Sequence, residues 1–215
     1  MKKEDMFFIA LTLGIITLLI IPTTNHAFFS FTNDYILVGG FIKFFIFATY
    51  GDLLSHRIRF GNYRVSGLAY KASVWGFIGI MITYIFRIFP IGITFLQSIY
   101  LLPFHEVAFF HAFFISLFMN LTFAPTMMLF HRISDDYIDQ KIMQKNHRLN
   151  DTLKTIDYSF FIRFVVFKTI PLFWIPAHTI TFLLPSEYRV FFAAILGVML
   201  GLILGLSKPN KKELV

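Results

Sequence analysis

The chain has 215 residues, of which 57% are hydrophobic and only 14% charged, and it carries a formal charge of +7. A soluble globule needs far more polar surface to cover its core, so the composition excludes an ordinary soluble domain and points to a membrane protein. The basic residues fall between apolar segments and form no single patch, which excludes nucleic acid as the expected partner, and the lack of cysteine excludes disulfides and thiolate metal sites.

The first apolar segment, Met6–Ile21, follows Lys2 and Lys3 and precedes "TTNHA", an order that resembles a signal peptide. Glu4, Asp5 and a poor cleavage site favour a retained anchor instead. Residues 1–35 are therefore expected to form an additional membrane anchor and a short non-cytoplasmic loop. The second segment, Ile36–Leu54, carries Lys43 half-way along it and Asp52 near its end. Nine residues put those two on opposite helical faces, so any partner must come from another helix.

Ala72–Phe89 forms the third segment. Residues 90–106, "PIGITFLQSIYLLPFHE", lie between Pro90 and Pro103 and are short for a crossing, so they are predicted to be interfacial or re-entrant. Val107–Phe130 follows, with His111 and Asn120 inside it. The acids Asp135, Asp136 and Asp139 come next, in a loop with balancing Lys and Arg, and are expected to form a solvated helical face.

The fifth segment, Tyr158–Leu184, contains Arg163, Lys168 and His178, and Pro171 and Pro176 interrupt it. Each proline removes an intrahelical hydrogen bond, which a membrane helix tolerates where protein or water satisfies the freed carbonyl, so the kink is expected to face the bundle. After the short turn "PSEYR", the sixth segment, Val190–Leu206, repeats Ala193, Gly197, Gly201 and Gly205 every four residues. This small-residue face suits close helix packing, within one chain or in a homo-oligomer. Residues 207–215 are expected to form a basic cytoplasmic tail.

The expected fold is thus all-α, a polytopic membrane bundle of about six transmembrane helices, because lipid leaves backbone groups no other partners and no alternating strand pattern occurs. Fourteen of the nineteen Lys and Arg residues fall at the N-terminus, in 55–71, in 131–157 or after Leu206. Those segments share one side if all six helices cross, which predicts both termini in the cytoplasm. Arg87 and Arg189 stand at the opposite ends. The N-terminal "MKK" favours a bacterial plasma membrane.

Lysines within a bilayer cost about 2.5–3.5 kcal/mol each, so Lys43 and Lys168 should face a partner, the bundle interior or an aqueous cavity. Together with Asn120 and His178 they define the expected pore or cavity lining, and its basic character favours anions or small solutes. No catalytic residues, metal or cofactor are expected. His105 and His111 in "HEVAFFH" are six apart, about 120° around a helix, and miss the zinc-protease spacing. Ser66-Gly67 has Arg64 where a rhomboid-like motif needs glycine.

Several segments resemble the peroxisomal membrane protein 22 and Mpv-seventeen family. "YGDLLSHRI" carries Gly51 and Asp52, which resemble the family's Gly-Asp element. "YIFRIFP" (84–90) resembles its Tyr…Phe-Pro span end. The stretch 173–192 resembles its Trp-Pro…Val-Pro…Tyr-Arg signature through Trp174, Pro176, Phe182, Pro185, Tyr188 and Arg189. "MNLTFAP" resembles an Asp-Gln…Phe-x-Pro element, retaining Pro125 but with Met119 and Asn120 in place of Asp-Gln. The resemblance covers residues 36–206 and implies a channel-like integral membrane protein for small solutes, in a mitochondrial or peroxisomal membrane if the chain is eukaryotic. The alternative is a non-transporting scaffold that binds a partner through the glycine face of the last helix.

Overall fold

The computed structural model describes residues 3–144 and 146–206, and every regular element among them is helical. α1 is Lys3–Ile20 and α2 is Pro22–Asp34. Pro22 opens α2, a position where a missing N–H costs nothing, and the axis turns by 82° between Phe8–Leu18 and Pro22–Asp34. α1 is tied to the far end of α3 (Ile36–Phe60). Arg57 Nη2 lies 2.9 Å from Asp5 Oδ1, Thr12 shares a hydrogen bond with Tyr50 at 2.9 Å, and Phe8 stacks on Tyr50 and Tyr63.

Gly61 ends α3 with φ +74°, its N–H bonded to the Arg57 carbonyl, a left-handed closure that a residue with a Cβ enters at a cost. α4 (Leu68–Ser98) then runs 31 residues without interruption. The interfacial segment expected at 90–106 is therefore corrected: residues 90–98 continue α4 through Pro90. One proline removes one backbone bond and bends a helix more readily than it ends it when both flanks are packed, and beyond it Ile93 and Gln97 are buried. The chain reverses only at 99–107, where Tyr100 and Phe104 take left-handed φ values and Gln97 bridges the Pro103 carbonyl and His111 Nδ1.

α5 (Ala108–Met143) is 36 residues long, about 54 Å at 1.5 Å per residue. It extends well past the predicted end at Phe130, and it carries Asp135, Asp136 and Asp139 on the same continuous helix. α6 (Leu149–Thr155) is short. The expected fifth segment is one continuous helical run, Tyr158–Leu183. It opens with α7 (Tyr158–Phe160), capped by Asp157 Oδ1, which accepts from Phe160 N–H. A π-helical stretch, Phe161–Trp174, follows, and then α8 (Ile175–Leu183). The prolines thus widen the helix and do not break it: Pro171 sits inside the π-helical stretch, and Ile175 N–H reaches back five residues to Ile170. Pro176 falls in the first turn of α8, where its ring is tolerated.

α9 (Ser186–Leu206) closes the fold. Among the described residues four helical runs, α3, α4, α5 and Tyr158–Leu183, are long and apolar enough to cross a membrane, or five if the bent α1–α2 pair is one span. About six were expected. The side chains of residues 200–206 in α9, including those positions of the glycine repeat, lie outside the described residues, as does the 207–215 tail.

α3 packs against both α4 and α9, and α5 against α8. Glycines set the closest approaches. A Cβ on Gly40 would stand 2.8 Å from the Gly79 carbonyl oxygen, and one on Gly51 would stand 2.9 Å from Val198 Cα. Among the described residues the α3–α9 approach uses Gly51 from α3, and Gly201 and Gly205 of the expected α9 repeat lie outside them. Ala193 is buried there, but Gly197 has open space around it.

Candidate functional site, a cationic cavity at one end of the bundle

Along α3 and its antiparallel neighbour α4, the interior is layered. Gly40 and Lys43 on α3 meet Thr83, Phe86 and Arg87 on α4, around a cavity of about 490 Å³. Next comes an apolar layer of Phe44, Phe47, Ile78 and Ile82, joined by Phe182 from α8 and Ala194 from α9. Beyond it Asp52 accepts a 2.8 Å hydrogen bond from Trp75 Nε1, and Lys71 pairs with Asp139 at 2.9 Å and Asp135 at 3.7 Å. From Lys43 to Asp52 the helix rises about 13 Å.

Each wall of the cavity follows from helical periodicity. Ile36, Gly40 and Lys43 recur at i, i+4 and i+7 on one face of α3; Thr83, Arg87, Pro90 and Ile91 share a face of α4. Thr32 and Asn33 close one side from the end of α2, and Ser186, Glu187, Arg189 and Val190 close another from the first turn of α9. The lining holds three cations and one carboxylate.

Lys43 is only 3% exposed. Among the described residues its ammonium makes no hydrogen bond or ion pair, and its recorded partner is the Phe29 ring of α2, 5.4 Å from Nζ to the centroid. Such a contact offsets little of the desolvation of a charge. The cavity is the polar space left to it. Arg189 is half-buried. Its Nε donates to the Leu184 carbonyl at 2.9 Å, and its guanidinium lies over the Phe182 ring at 5.6 Å. Arg87 is exposed and completes the basic lining.

The other expected lining residues go elsewhere. Asn120 is fully buried between α5 and α8, where Nδ2 donates to the Ser116 carbonyl at 2.8 Å and the amide lies 3.1 Å from His178 Nδ1. Ser116 Oγ donates to the Ile175 carbonyl at 2.7 Å, and His178 stacks on Trp174 and meets the edge of Phe86. This network is satisfied within itself, and none of Ser116, Asn120 and His178 lines the Lys43 cavity. Lys168 is exposed on the outer face of the π-helical stretch, so the structure does not bring it to Lys43.

Of the signature residues in the stretch 173–192, Arg189 lines the cavity. Trp174 marks the junction between π- and α-helix, and Pro176 starts α8. Pro185 sits in the turn, its carbonyl accepting from Tyr188 N–H, while the Tyr188 ring packs edge-on against Phe29. Pro125 lies inside α5. Arg87, Thr83 and the end of α2 were not assigned to a site from sequence, and Arg189 was singled out only through the family resemblance. The signal available for Arg87 and Arg189 was their position as cations at the poorly charged ends of the apolar segments.

Fold and cavity together define an all-helical protein with membrane-length apolar helices and a basic interior site. Comparison with family models, with characterised proteins and with solved structures finds no match to this chain.

Proposed function

We propose that this chain is a multi-pass membrane protein that admits small anionic solutes to the Lys43 cavity and passes them in a channel-like manner, without enzymatic chemistry. The observation that carries this reading is Lys43 itself: a buried ammonium without an anionic partner among the described residues, beside a cavity whose lining is net positive. Maintaining such a charge in a bilayer is costly, and an anion that enters the cavity offsets that cost. The apolar layer below acts as a closed constriction of the kind that gates by excluding water.

The proposal includes six crossings with both termini in the cytoplasm, by the distribution of Lys and Arg. It agrees with the resemblance to the peroxisomal membrane protein 22 and Mpv-seventeen family, whose proposed role is channel-like. The membrane is a bacterial plasma membrane, or a mitochondrial or peroxisomal one in a eukaryote. Purified protein in liposomes should release chloride or phosphate faster than empty liposomes, and Lys43→Met should remove most of the difference. Release equal to that of empty liposomes at every applied voltage overturns the reading.

The scaffold alternative has one observation in its favour. The space around Gly197 is open within the chain, which leaves that part of the α9 face free for a partner or a second copy. Gly197→Leu should then disrupt a complex seen on native gels without altering flux.

A further inference from the structure

We propose that the natural occupant of the Lys43 cavity is a lipid phosphate monoester, its headgroup held by Lys43, Arg87 and Arg189 and the start of its chain laid along Ile36, Phe86 and Ile91. This rests on the anion reading above and adds the class of ligand. The cavity, at about 490 Å³, falls within the ~300–1,000 Å³ range of organic-ligand sites, far more than one bare anion fills. Its lining is also divided. The cations and hydroxyls suit a phosphate, but Ile36, Phe86, Pro90 and Ile91 offer a hydrated inorganic anion nothing.

The α4 face shows the direction of this change. Thr83 is buried, Arg87 follows one turn on, and Ile91 is 72% exposed a further turn along a membrane-length helix. A ligand with its charge at Lys43 and its carbon chain leaving past Ile91 meets matching chemistry along its whole length. Basic pockets between membrane helices are a recurring way to hold anionic headgroups.

Charge selects among headgroups. Three cations and one carboxylate, Glu187, leave two positive charges in the lining, and a phosphate monoester carries about −1.5 to −2 at neutral pH. A phosphodiester with a choline head brings one negative charge and a bulky cation. Arg189 remains able to donate, because the Leu184 carbonyl occupies only its Nε.

The test uses the full chain, purified in detergent, with four probes: dioleoyl phosphatidic acid, dioleoyl phosphatidylcholine, glycerol 3-phosphate and inorganic phosphate. Binding is read by native mass spectrometry and by the shift in melting temperature. One phosphatidic acid per chain should be retained in preference to phosphatidylcholine, with both soluble phosphates much weaker. Lys43→Met and Arg87→Gln should each weaken phosphatidic acid by about tenfold, the loss of one charge-assisted hydrogen bond. Lys154→Gln, on exposed α6 and away from the cavity, should leave it unchanged. If inorganic phosphate binds as tightly as phosphatidic acid, the lipid inference falls and the small-anion reading stands. If none of the four binds, both fall. Equal phosphatidic acid binding by wild type and Arg87→Gln, an exposed position where folding is not at issue, also overturns the inference.

Discussion

Lys43 Nζ stands 5.4 Å from the centroid of the Phe29 ring, so the interior charge of α3 is covered by the helix that leaves α1 at 82°. That ring sits edge-on to Tyr188 and Phe191, which joins α2, α3 and α9 around the cavity. A charge buried this way carries a cost in stability. Lys43→Met should therefore raise resistance to thermal denaturation in detergent, by about 1–3 kcal/mol, while lowering anion release. If the variant loses stability as well as flux, the lysine is a structural element and the cavity has no functional claim on it.

Lys71 makes the opposite case. It is buried at the start of α4, yet it has two carboxylates on α5 within 4 Å. Lys71→Met should destabilise by about 1–3 kcal/mol, because both acids then lose their partner in a partly desolvated site. Adding Asp139→Asn to that variant should recover part of the loss. A double-mutant cycle with no coupling would show that the pair holds nothing together.

How much of this was legible follows from what each signal depends on. Apolar runs located the starts of α1, α3, α4, α5, the Tyr158–Leu183 helix and α9 to within a few residues, since lipid demands the same helical solution whatever the neighbours. But α4 and α5 run on well past the expected ends at Phe89 and Phe130. The α2 helix escaped because Pro22–Asp34 is mostly polar and aromatic, with no apolar run. Proline misled at Pro90: whether a helix stops or absorbs a proline depends on packing on both sides, which a single chain segment does not encode. Lys43 was legible as a costly charge needing a cavity. Lys168 had the same local signature, but the side of its helix that faces the bundle is set by the π-helical stretch. Asn120 and His178 pair only because α5 and α8 are adjacent.

α3 comes close to α9 at Gly51, where a Cβ would meet Val198 Cα at 2.9 Å. Gly51→Val should cost at least about 1–3 kcal/mol by overpacking against backbone that cannot move aside. Gly197→Ala, with open space at that position, should change the melting temperature by little. Equal effects would show that the two helices do not meet as described.

The buried network of Ser116, Asn120 and His178 should behave as hydrogen-bonded packing. Asn120→Leu alone strands His178 Nδ1 and should cost about 1–3 kcal/mol. The pair Asn120→Leu with His178→Phe should cost less than the sum of the single changes, since neither polar group remains to be satisfied. Anion release should survive in all three. Loss of release in the double variant, with the protein still folded, would return these residues to the permeation route.

The apolar layer of Phe44, Phe47, Ile78 and Ile82 lies between the cavity and the Asp52–Trp75 and Lys71–Asp139 pairs. A constriction of this kind holds back ions because water is not stable within it, so one hydroxyl in the layer should favour wetting. Ile82→Thr keeps a β-branched side chain in α4 and adds that hydroxyl, at an expected cost of about 1–3 kcal/mol. Its release of anions from liposomes should exceed that of the wild type, and on the proposed reading, in which the cavity feeds this layer, the excess should disappear when Lys43→Met is added. Phe47→Ala, which opens the same layer by removing volume, should act in the same direction. If both variants fold and neither raises release, the layer is inert core and the cavity is a binding site without a passage beneath it.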